Sequence, residues 1–254
     1  KNWSKKLNVP FLVAKNVNDK AFLESIKKYH ADLFISMSYN QILKKDILSI
    51  PPKGFINCHA GAIPFYKGRN PLNWVLINGE KEFGITVHFV DEGIDTGDII
   101  TQNFYPILIN DTYKILLDHA IHECANILFD SIKKIQNNSV TRIKQSDIHK
   151  VGTYYGRRVE GDEIINFNQN SKRVHNFIRA ISEPGPFARA FIKDKEIAIH
   201  RSELIENAPK YLSTIGEVIA NSSKGIVVKT KDSSVLITKI SKVSNNEIGN
   251  AFIP

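Results

Sequence analysis

The spacing of apolar and polar residues over the first fifty positions predicts a helix, a strand and a second helix. Asn18 is a good helix-capping residue, and apolar residues at helical spacing follow it, which predicts a helix that ends near Tyr29. The apolar run at 32–37 predicts a buried strand, and residues 39–48 predict a turn and a short helix. Helices and strands that alternate in this way favour a doubly wound α/β sheet.

Residues 55–105 continue this alternation. The apolar run at 55–59 predicts a strand, and Pro71 and Gly79 are typical of the start and the stop of a helix. The β-rich runs at 85–90 and 99–105 predict a strand and a return strand. In a parallel sheet the chemistry lies at the strand ends, so we expect functional residues where the first of these strands ends.

A long amphipathic helix is predicted next, capped by Asp111-Thr112 and extending to about Ile135. Its apolar face, which we expect to cover the sheet, comprises positions 113, 116, 117, 120, 121, 124, 127 and 128. The polar stretch that begins at 136 predicts a domain linker, which we assign to residues 137–156.

The remainder of the chain predicts a second, β-rich domain. A capped helix is expected at 171–181. Short alternating strands are expected at about 187–193, 196–204, 214–220, 225–230 and 234–240. Five strands of this kind favour a small β-barrel.

Length and composition limit the classes of protein to which the chain can belong. Its 254 residues, 42% of them hydrophobic, suit one large or two smaller globular domains. No apolar run approaches the roughly 20 residues of a membrane span, and the start has no signal-peptide core, so we expect a cytoplasmic protein without a membrane partner. Cys58 and Cys124 are expected to be buried thiols.

The net charge of +8 and the pI near 9.3 fit either a nucleic-acid surface or a site for phosphorylated substrates. The densest lysine pairs, at 27–28, 44–45 and 133–134, fall on predicted helix faces, where plain solvation is expected. The net charge alone therefore does not show that the protein binds RNA.

The strongest candidates for chemistry are an amide, an imidazole and a carboxylate. Asn57 offers a donor to a developing oxyanion, and His59, one pleat away on the same strand face, titrates near neutrality. Asp95, in the loop at 91–98, can orient and charge that imidazole. The competing interpretation is that Asn57 and His59 cap a turn and that Asp95 forms an Asx-turn.

The other histidines give weaker signals. His119 and His122 are three residues apart on the long helix, but no third ligand follows in pattern, so we expect no metal site. His88 lies in the predicted strand at 85–90. It lines the core or faces the site, depending on the face of the strand to which it belongs.

Four motifs in order resemble the folate-dependent formyltransferase family: Asn-x-His at 57–59, Pro-x-Tyr-Lys-Gly-Arg-x-Pro at 64–71, Gly-x-Thr-Val-His at 84–88 and Asp-Glu-Gly-x-Asp-Thr-Gly at 91–97. The resemblance implies a Rossmann-like catalytic domain at 1–136 and, after the linker, an oligonucleotide-binding-like (OB-like) β-barrel domain at 157–254. Family members begin with a strand, a helix and a second strand that this chain lacks, so we expect ~55 to 60 further residues before Lys1.

By the same resemblance, Asn57, His59 and Asp95 would be the catalytic residues of formyl transfer from 10-formyltetrahydrofolate to an acceptor amine. Asn57 and protonated His59 would donate hydrogen bonds to the oxyanion. Asp95 would raise the pKa of His59 and relay the acceptor proton. The amine is itself the nucleophile, so no serine or cysteine nucleophile is required.

The resemblance also implies two binding regions. The residues expected around the pterin of the donor are Ser38, Tyr39, Asp91, Gly93, Ile94 and Asp95. Those expected to hold a diphosphate of the acceptor are Tyr66, Lys67, Gly68 and Arg69, because Arg69 can make bidentate contacts and Gly68 allows close approach of the backbone. Plain surface charge is the alternative for Lys67 and Arg69.

Three acceptors compete: the initiator methionyl-tRNA, glycinamide ribonucleotide and a nucleotide-linked amino sugar. The predicted barrel argues against glycinamide ribonucleotide. Residues 67–74 and 155–158 resemble the formyltransferase that acts on UDP-linked 4-amino-arabinose. We therefore expect a dimeric sugar N-formyltransferase of surface polysaccharide synthesis, without a specific nucleic-acid partner. The alternatives are a methionyl-tRNA formyltransferase and a non-catalytic RNA-binding relative.

Overall fold

The computed structural model describes residues 2–192, 195–242 and 252–253. Its helices are α1 (Asn2–Lys6), α2 (Lys20–Lys27), α3 (Lys45–Leu48), α4 (Pro71–Asn78), α5 (Tyr113–Gln136), α6 (Gln145–Ile148) and α7 (Ser171–Ala180). Its strands are β1 (Phe34–Met37), β2 (Phe55–His59), β3 (Lys67–Gly68), β4 (Glu82–Phe89), β5 (Ile99–Pro106), β6 (Tyr154–Tyr155), β7 (Ala188–Ile192), β8 (Lys195–Leu204), β9 (Val218–Ser222), β10 (Gly225–Lys229), β11 (Ser234–Lys242) and β12 (Phe252–Ile253). Within these described parts of the chain, none of the helices has the length and apolar character needed to cross a membrane.

The first half of the chain forms a four-stranded sheet in the order β1-β2-β4-β5. β1 and β2 are parallel, whereas β2–β4 and β4–β5 are antiparallel. The predicted Rossmann-like α/β domain is thus confirmed, with a mixed sheet in place of a wholly parallel one. The loop at 90–98 has no helical crossover, and a connection of that kind joins antiparallel strands.

The antiparallel direction of β4 determines where the acidic loop lies relative to β2. Phe89, at the end of β4, pairs with Ile56, near the start of β2. The acidic loop therefore begins at the opposite end of β2 from the loop that follows His59. The site lies along one face of β2 and β4, with Asn57 and His59 in the last three residues of β2, where functional residues were expected.

Helix α5 packs its apolar face on this sheet, as predicted. Leu116, Ala120 and Cys124 are buried there, whereas Ile121 is 59% exposed, so its assignment to the covered face is wrong. Cys58 points into the same core, and its Sγ lies 3.7 Å from the carbonyl oxygen of Cys124. Both cysteines are buried free thiols, as predicted.

The second half of the chain forms a six-stranded sheet of antiparallel pairs in the order β12-β7-β8-β11-β10-β9. The five predicted strands are present, although the third begins at Val218 and not at 214. Residue 193, the predicted end of the first of them, lies outside the described residues. Closure into an OB-like barrel and the division at 137–156 stay predictions.

Helix α7 packs against α4 and so connects the two halves. The amide of Asn73 in α4 donates to the carbonyl of Ala180 at 2.6 Å. The buried guanidinium of Arg179 donates to the carbonyls of Leu108 and Asp111 at 3.0 and 2.9 Å. The Asn73 bond connects α7 to α4, which directly follows the loop after β2, and the Arg179 bonds connect α7 to the segment between β5 and α5.

Candidate active site

Four polar side chains meet on one face of the β2–β4 pair. Asn57 and His88 are opposite each other, with Asn57 Nδ2 3.3 Å from His88 Nε2. One oxygen of Asp95, Oδ1, lies 3.5 Å from each of these two nitrogens. The other, Oδ2, lies 3.8 Å from Nδ1 of His59. The structure therefore brings the predicted Asn57, His59 and Asp95 together and adds His88.

The backbone around Asp95 aims its carboxylate back over β2. Asp95 has a φ of +53°, in the left-handed region that residues with a side chain seldom adopt. The N–H of Gly68 donates to Asp95 Oδ2 at 2.8 Å, and Gln145 donates to the Asp95 carbonyl at 2.8 Å. One other segment of the chain thus holds the carboxylate of Asp95, and a second holds its backbone.

Asp95 is ionised in the folded protein at neutral pH. Burial alone would raise the pKa of its carboxyl, but the hydrogen bond with His88, the attraction of the His59 ring, which is charged only at acid pH, and the N–H of Gly68 outweigh burial. Together they lower the pKa of Asp95 to about 2. A fixed negative charge therefore lies between two imidazoles.

His59 is neutral in this environment. Its Nε2 lies 2.8 Å from the carbonyl oxygen of Tyr66, and because a carbonyl only accepts, Nε2 carries the proton. Nδ1, which faces Asp95, is therefore the basic nitrogen. Burial lowers the pKa of His59, and the opposing effects of Asp95 and the Tyr66 carbonyl do not compensate. Asp95 raises the pKa of His59 as the sequence predicted, but that prediction left out the larger effect of burial, and a protonated His59 during the reaction stays a prediction.

His88 faces the site, which resolves the alternative left open by the sequence. Its Nδ1 lies 2.7 Å from the Phe89 carbonyl and donates to it, and its Nε2 lies 3.3 Å from the amide of Asn57 and 3.5 Å from the carboxylate of Asp95. All residues from 83 to 88 are buried. Because both faces of β4 are covered, hydrophobic alternation gave no signal for the direction of His88.

The histidine pair of the long helix, His119 and His122, takes no part in this cluster. His119 packs its ring against those of Phe83 and Tyr105, with centroid distances of 5.6 and 4.8 Å. Throughout the part of the chain that the structure describes, no group of three or more His, Cys, Asp or Glu side chains is arranged to hold a metal ion.

A cavity of about 540 Å³ opens beside the four side chains, a size within the usual range of small-molecule sites. Its lining includes every residue predicted to surround the donor: Ser38, Tyr39, Asp91, Gly93, Ile94 and Asp95. The Asp91 carboxylate is turned into its own loop, where it accepts from the Gly93 N–H and the Thr96 hydroxyl. A larger hollow of about 800 Å³ between α2 and α3 contains none of the candidate residues.

The segment Tyr66–Arg69 is divided between the core and this cavity. Tyr66 is only 9% exposed, its hydroxyl donates to Glu80 at 2.5 Å, and its ring stacks on Tyr155. Tyr66 does not line this cavity, and its hydroxyl is bonded to Glu80 and Asn78, so a part for its side chain in binding a diphosphate stays a prediction. Gly68 and the exposed Arg69 line the cavity. Lys67 precedes Gly68 on β3.

Replacement of Gly68 is expected to destabilise the protein. Gly68 has a φ of +92°, and a Cβ there would lie 2.3 Å from the Tyr155 carbonyl oxygen. Gly68→Ala should lower the free energy of unfolding by roughly 1–3 kcal/mol, as overpacking usually does, measured by denaturant titration. Gly156→Ala, where a Cβ meets nothing within 4 Å, is the control. Equal stability of the two variants would contradict the close approach of the Gly68 backbone to the Tyr155 carbonyl.

Comparison with known protein families gives two matches. The family described as "Formyl transferase" matches residues 4–132, and "Formyl transferase, C-terminal domain" matches residues 159–251. The bifunctional polymyxin resistance protein ArnA of Wigglesworthia glossinidia brevipalpis is 35% identical over 85% of this chain and 33% of that protein. The methionyl-tRNA formyltransferase of Desulforamulus reducens is 30% identical over 91% of this chain and 72% of that protein. The chain thus spans a third of the first relative.

Solved structures give the same fold. WlaRD, a sugar 3N-formyl transferase crystallised in the presence of dTDP and 5-N-formyl-THF, is 26% identical with a TM-score of 0.71, covering 96% of this chain and 81% of that chain. An N-formyltransferase from Helicobacter canadensis in complex with folinic acid and dTDP-3-aminofucose is 24% identical with a TM-score of 0.70, covering 94% and 82%. At that identity the second likeness shows the fold alone.

Proposed function

Because the chain belongs to the formyl transferase family in both its catalytic and its C-terminal parts, we propose that it formylates the amine of a nucleotide-linked amino sugar with 10-formyltetrahydrofolate as donor. One observation carries the proposed chemistry. The ionised Asp95 carboxylate lies between His59 and His88, beside the amide of Asn57, at the wall of a 540 Å³ cavity.

The cavity walls fit a folate donor, which supplies the formyl group. One wall comes from residues 36–43 and the other from residues 90–95. The Asp91 carboxylate accepts hydrogen bonds within its own loop, whereas the Asp95 carboxylate of the same wall faces His59 and His88. Polar groups along these walls suit the donors and acceptors along the edge of a pterin. The wall of the cavity and the catalytic cluster share Asp95.

Nδ1 of His59 is the atom that takes up the proton of the attacking amine. An amine that attacks a formyl carbon becomes positively charged and must lose a proton. The neutral ring has its lone pair on Nδ1, because Nε2 is bonded to the Tyr66 carbonyl. The Asp95 carboxylate, 3.8 Å away, stabilises the imidazolium that forms. When the tetrahedral intermediate collapses, the bond from the formyl carbon to the carrier nitrogen breaks, and the imidazolium returns the proton to that nitrogen as tetrahydrofolate leaves.

Asn57 is the donor to the oxyanion that develops on the formyl oxygen. Its Nδ2 contacts with His88 and Asp95 are 3.3 and 3.5 Å, which is long for hydrogen bonds. The amide can therefore turn to a stronger acceptor at little cost. Donors of this kind typically contribute a hundredfold to a thousandfold in rate.

Arg69 supports the choice of a nucleotide sugar as acceptor. It is exposed, it lines the cavity, and guanidinium groups bind diphosphates in bidentate fashion. The likeness to WlaRD, at 26% identity over 96% of the chain, points to the same class of acceptor.

Arg69→Ala should raise KM for the nucleotide sugar by about tenfold to a hundredfold, the effect of losing a charged hydrogen bond of ~1.5 to 3 kcal/mol. KM for the folate should stay unchanged, because the arginine is assigned to the acceptor side. Steady-state kinetics measure both values. Arg201→Ala, an exposed arginine of β8, is the control. An unchanged KM for the sugar in Arg69→Ala would remove the diphosphate role.

Methionyl-tRNA is the second candidate acceptor, because relatives such as the Desulforamulus reducens enzyme match 91% of this chain. Mass spectrometry separates the two. The protein is incubated with 10-formyltetrahydrofolate and, in parallel, with methionyl-tRNA, a UDP-linked 4-amino sugar and a dTDP-linked 3-amino sugar. A gain of one formyl group on a sugar supports the proposal. Formylation of methionyl-tRNA alone overturns it in favour of the second candidate.

A further inference from the structure

The connecting segment, residues 137–156, contacts the acidic loop that carries Asp95. Gln145 Nε2 donates to the carbonyl of Asp95 at 2.8 Å and to that of Gly97 at 2.9 Å. Ile143 exchanges two backbone hydrogen bonds with Ile99, at 2.8 and 3.0 Å. The acidic loop is therefore bonded to the connecting segment on both sides of Thr96 and again where β5 begins.

The same segment also contacts the loop that follows β2. Its strand β6 pairs with β3, so the N–H of Lys67 donates to the Thr153 carbonyl at 3.1 Å. The N–H of Tyr66 donates to the Thr153 hydroxyl at 3.0 Å. These bonds fix two backbone groups that touch the reacting side chains, namely the Tyr66 carbonyl on His59 and the Gly68 N–H on Asp95.

A contact at Gln145 has a direct effect on the direction of the Asp95 carboxylate. A left-handed φ at a residue with a side chain costs on the order of 1–3 kcal/mol and persists only where the surroundings fix it. The Gln145 amide bonds the carbonyl of the strained residue itself and a second carbonyl two residues later. If those bonds are lost, the turn can relax and the carboxylate moves away from His59.

We propose that residues 137–156 form a clamp that positions both loops of the site, with Gln145 as a positioning residue for Asp95. The inference rests on the proposed function, because it requires that Asp95 acts in catalysis. The side-chain amide of Gln145 bonds the backbone carbonyls of Asp95 and Gly97, and Gln145 does not line the cavity beside Asp95, so its removal should affect the rate of the reaction more than the binding of either substrate. A displacement near 1 Å is known to lower rates by about a hundredfold.

The test compares Gln145→Ala and Gln145→Glu with Gln136→Ala and Gln136→Glu, which alter an exposed glutamine at the end of α5. We expect kcat to fall by about tenfold to a hundredfold in the Gln145 pair, while both KM values stay within about twofold. Gln145→Glu should be the slower variant, because its carboxylate faces two carbonyl oxygens. Hydrogen exchange of the peptide at 91–99, measured without substrates, should quicken only in the Gln145 pair.

The outcomes separate this inference from the proposed function when Asp95→Asn is assayed alongside. An inactive Asp95→Asn with unchanged kcat and exchange in the Gln145 pair overturns the clamp and leaves the proposed function intact. An active Asp95→Asn overturns the catalytic role of Asp95, and the clamp with it. If both Gln145 variants are unfolded at the assay temperature, the segment is a stability element and the positioning role is overturned.

Discussion

Asp95→Asn is expected to lower kcat by roughly a thousandfold or more, with little change in the affinity for 10-formyltetrahydrofolate. The substitution keeps the shape of the side chain and removes the charge beside His59 and His88. A neutral amide cannot stabilise an imidazolium at His59. Its N–H can also donate to Nδ1 and so occupy the lone pair that takes up the proton.

Single-turnover kinetics with saturating acceptor measure the effect, and donor binding is followed separately by fluorescence titration. Asp130→Asn, at an exposed position of α5, is the matched control and should keep the rate of the parent protein. Near-normal turnover in Asp95→Asn would remove the carboxylate from the mechanism.

The change in the free energy of unfolding at acid pH is an independent check of the charge on Asp95. Because the pKa of Asp95 is lowered to about 2 in the folded protein from a usual 3.8, its charge stabilises the fold above about pH 4. That contribution is lost as the pH falls through the lowered value. Asp95→Asn should lack this part of the acid dependence, while Asp130→Asn should retain it.

Local signals in the sequence were sufficient to predict the helices and strands and the central residues of the site. Pro71 and Gly79 bound α4 as predicted, because proline and glycine act on the backbone where they stand. The spacing of Asn57 and His59 predicted that they lie on the same face of β2, since side chains alternate along a strand. Both statements depend on neighbouring residues only.

The features that the sequence did not predict depend on distant contacts. The antiparallel direction of β4, the burial of Tyr66 and the neutral state of His59 are set by what packs around them. Gln145 is 50 residues from Asp95 in sequence and lies in a polar stretch that carries no periodic signal. A polar stretch predicts a linker, and only the fold reveals which carbonyls it meets.

His59→Asn is expected to have the other largest effect, a loss of kcat by orders of magnitude with folding intact. Asparagine has no basic nitrogen to face Asp95, and its shorter side chain ends near the position of Nδ1, so it also loses the hydrogen bond from Nε2 to the Tyr66 carbonyl. Because burial lowers the pKa of His59, the neutral base should persist below pH 6.5, and the rate of the parent protein should fall as the pH drops through the lowered value. Residual turnover of His59→Asn should lack that acid limb.

The control for this variant is His122→Asn, at an exposed position on α5, which should keep both the rate and the pH profile of the parent protein. Initial rates of formyl transfer between pH 5 and pH 8 provide the measurement, and thermal melting confirms that each variant is folded. Substantial turnover in His59→Asn with an unchanged acid limb would assign the proton transfer to another group. His88 would be the next candidate, because its Nε2 lies 3.5 Å from the same carboxylate.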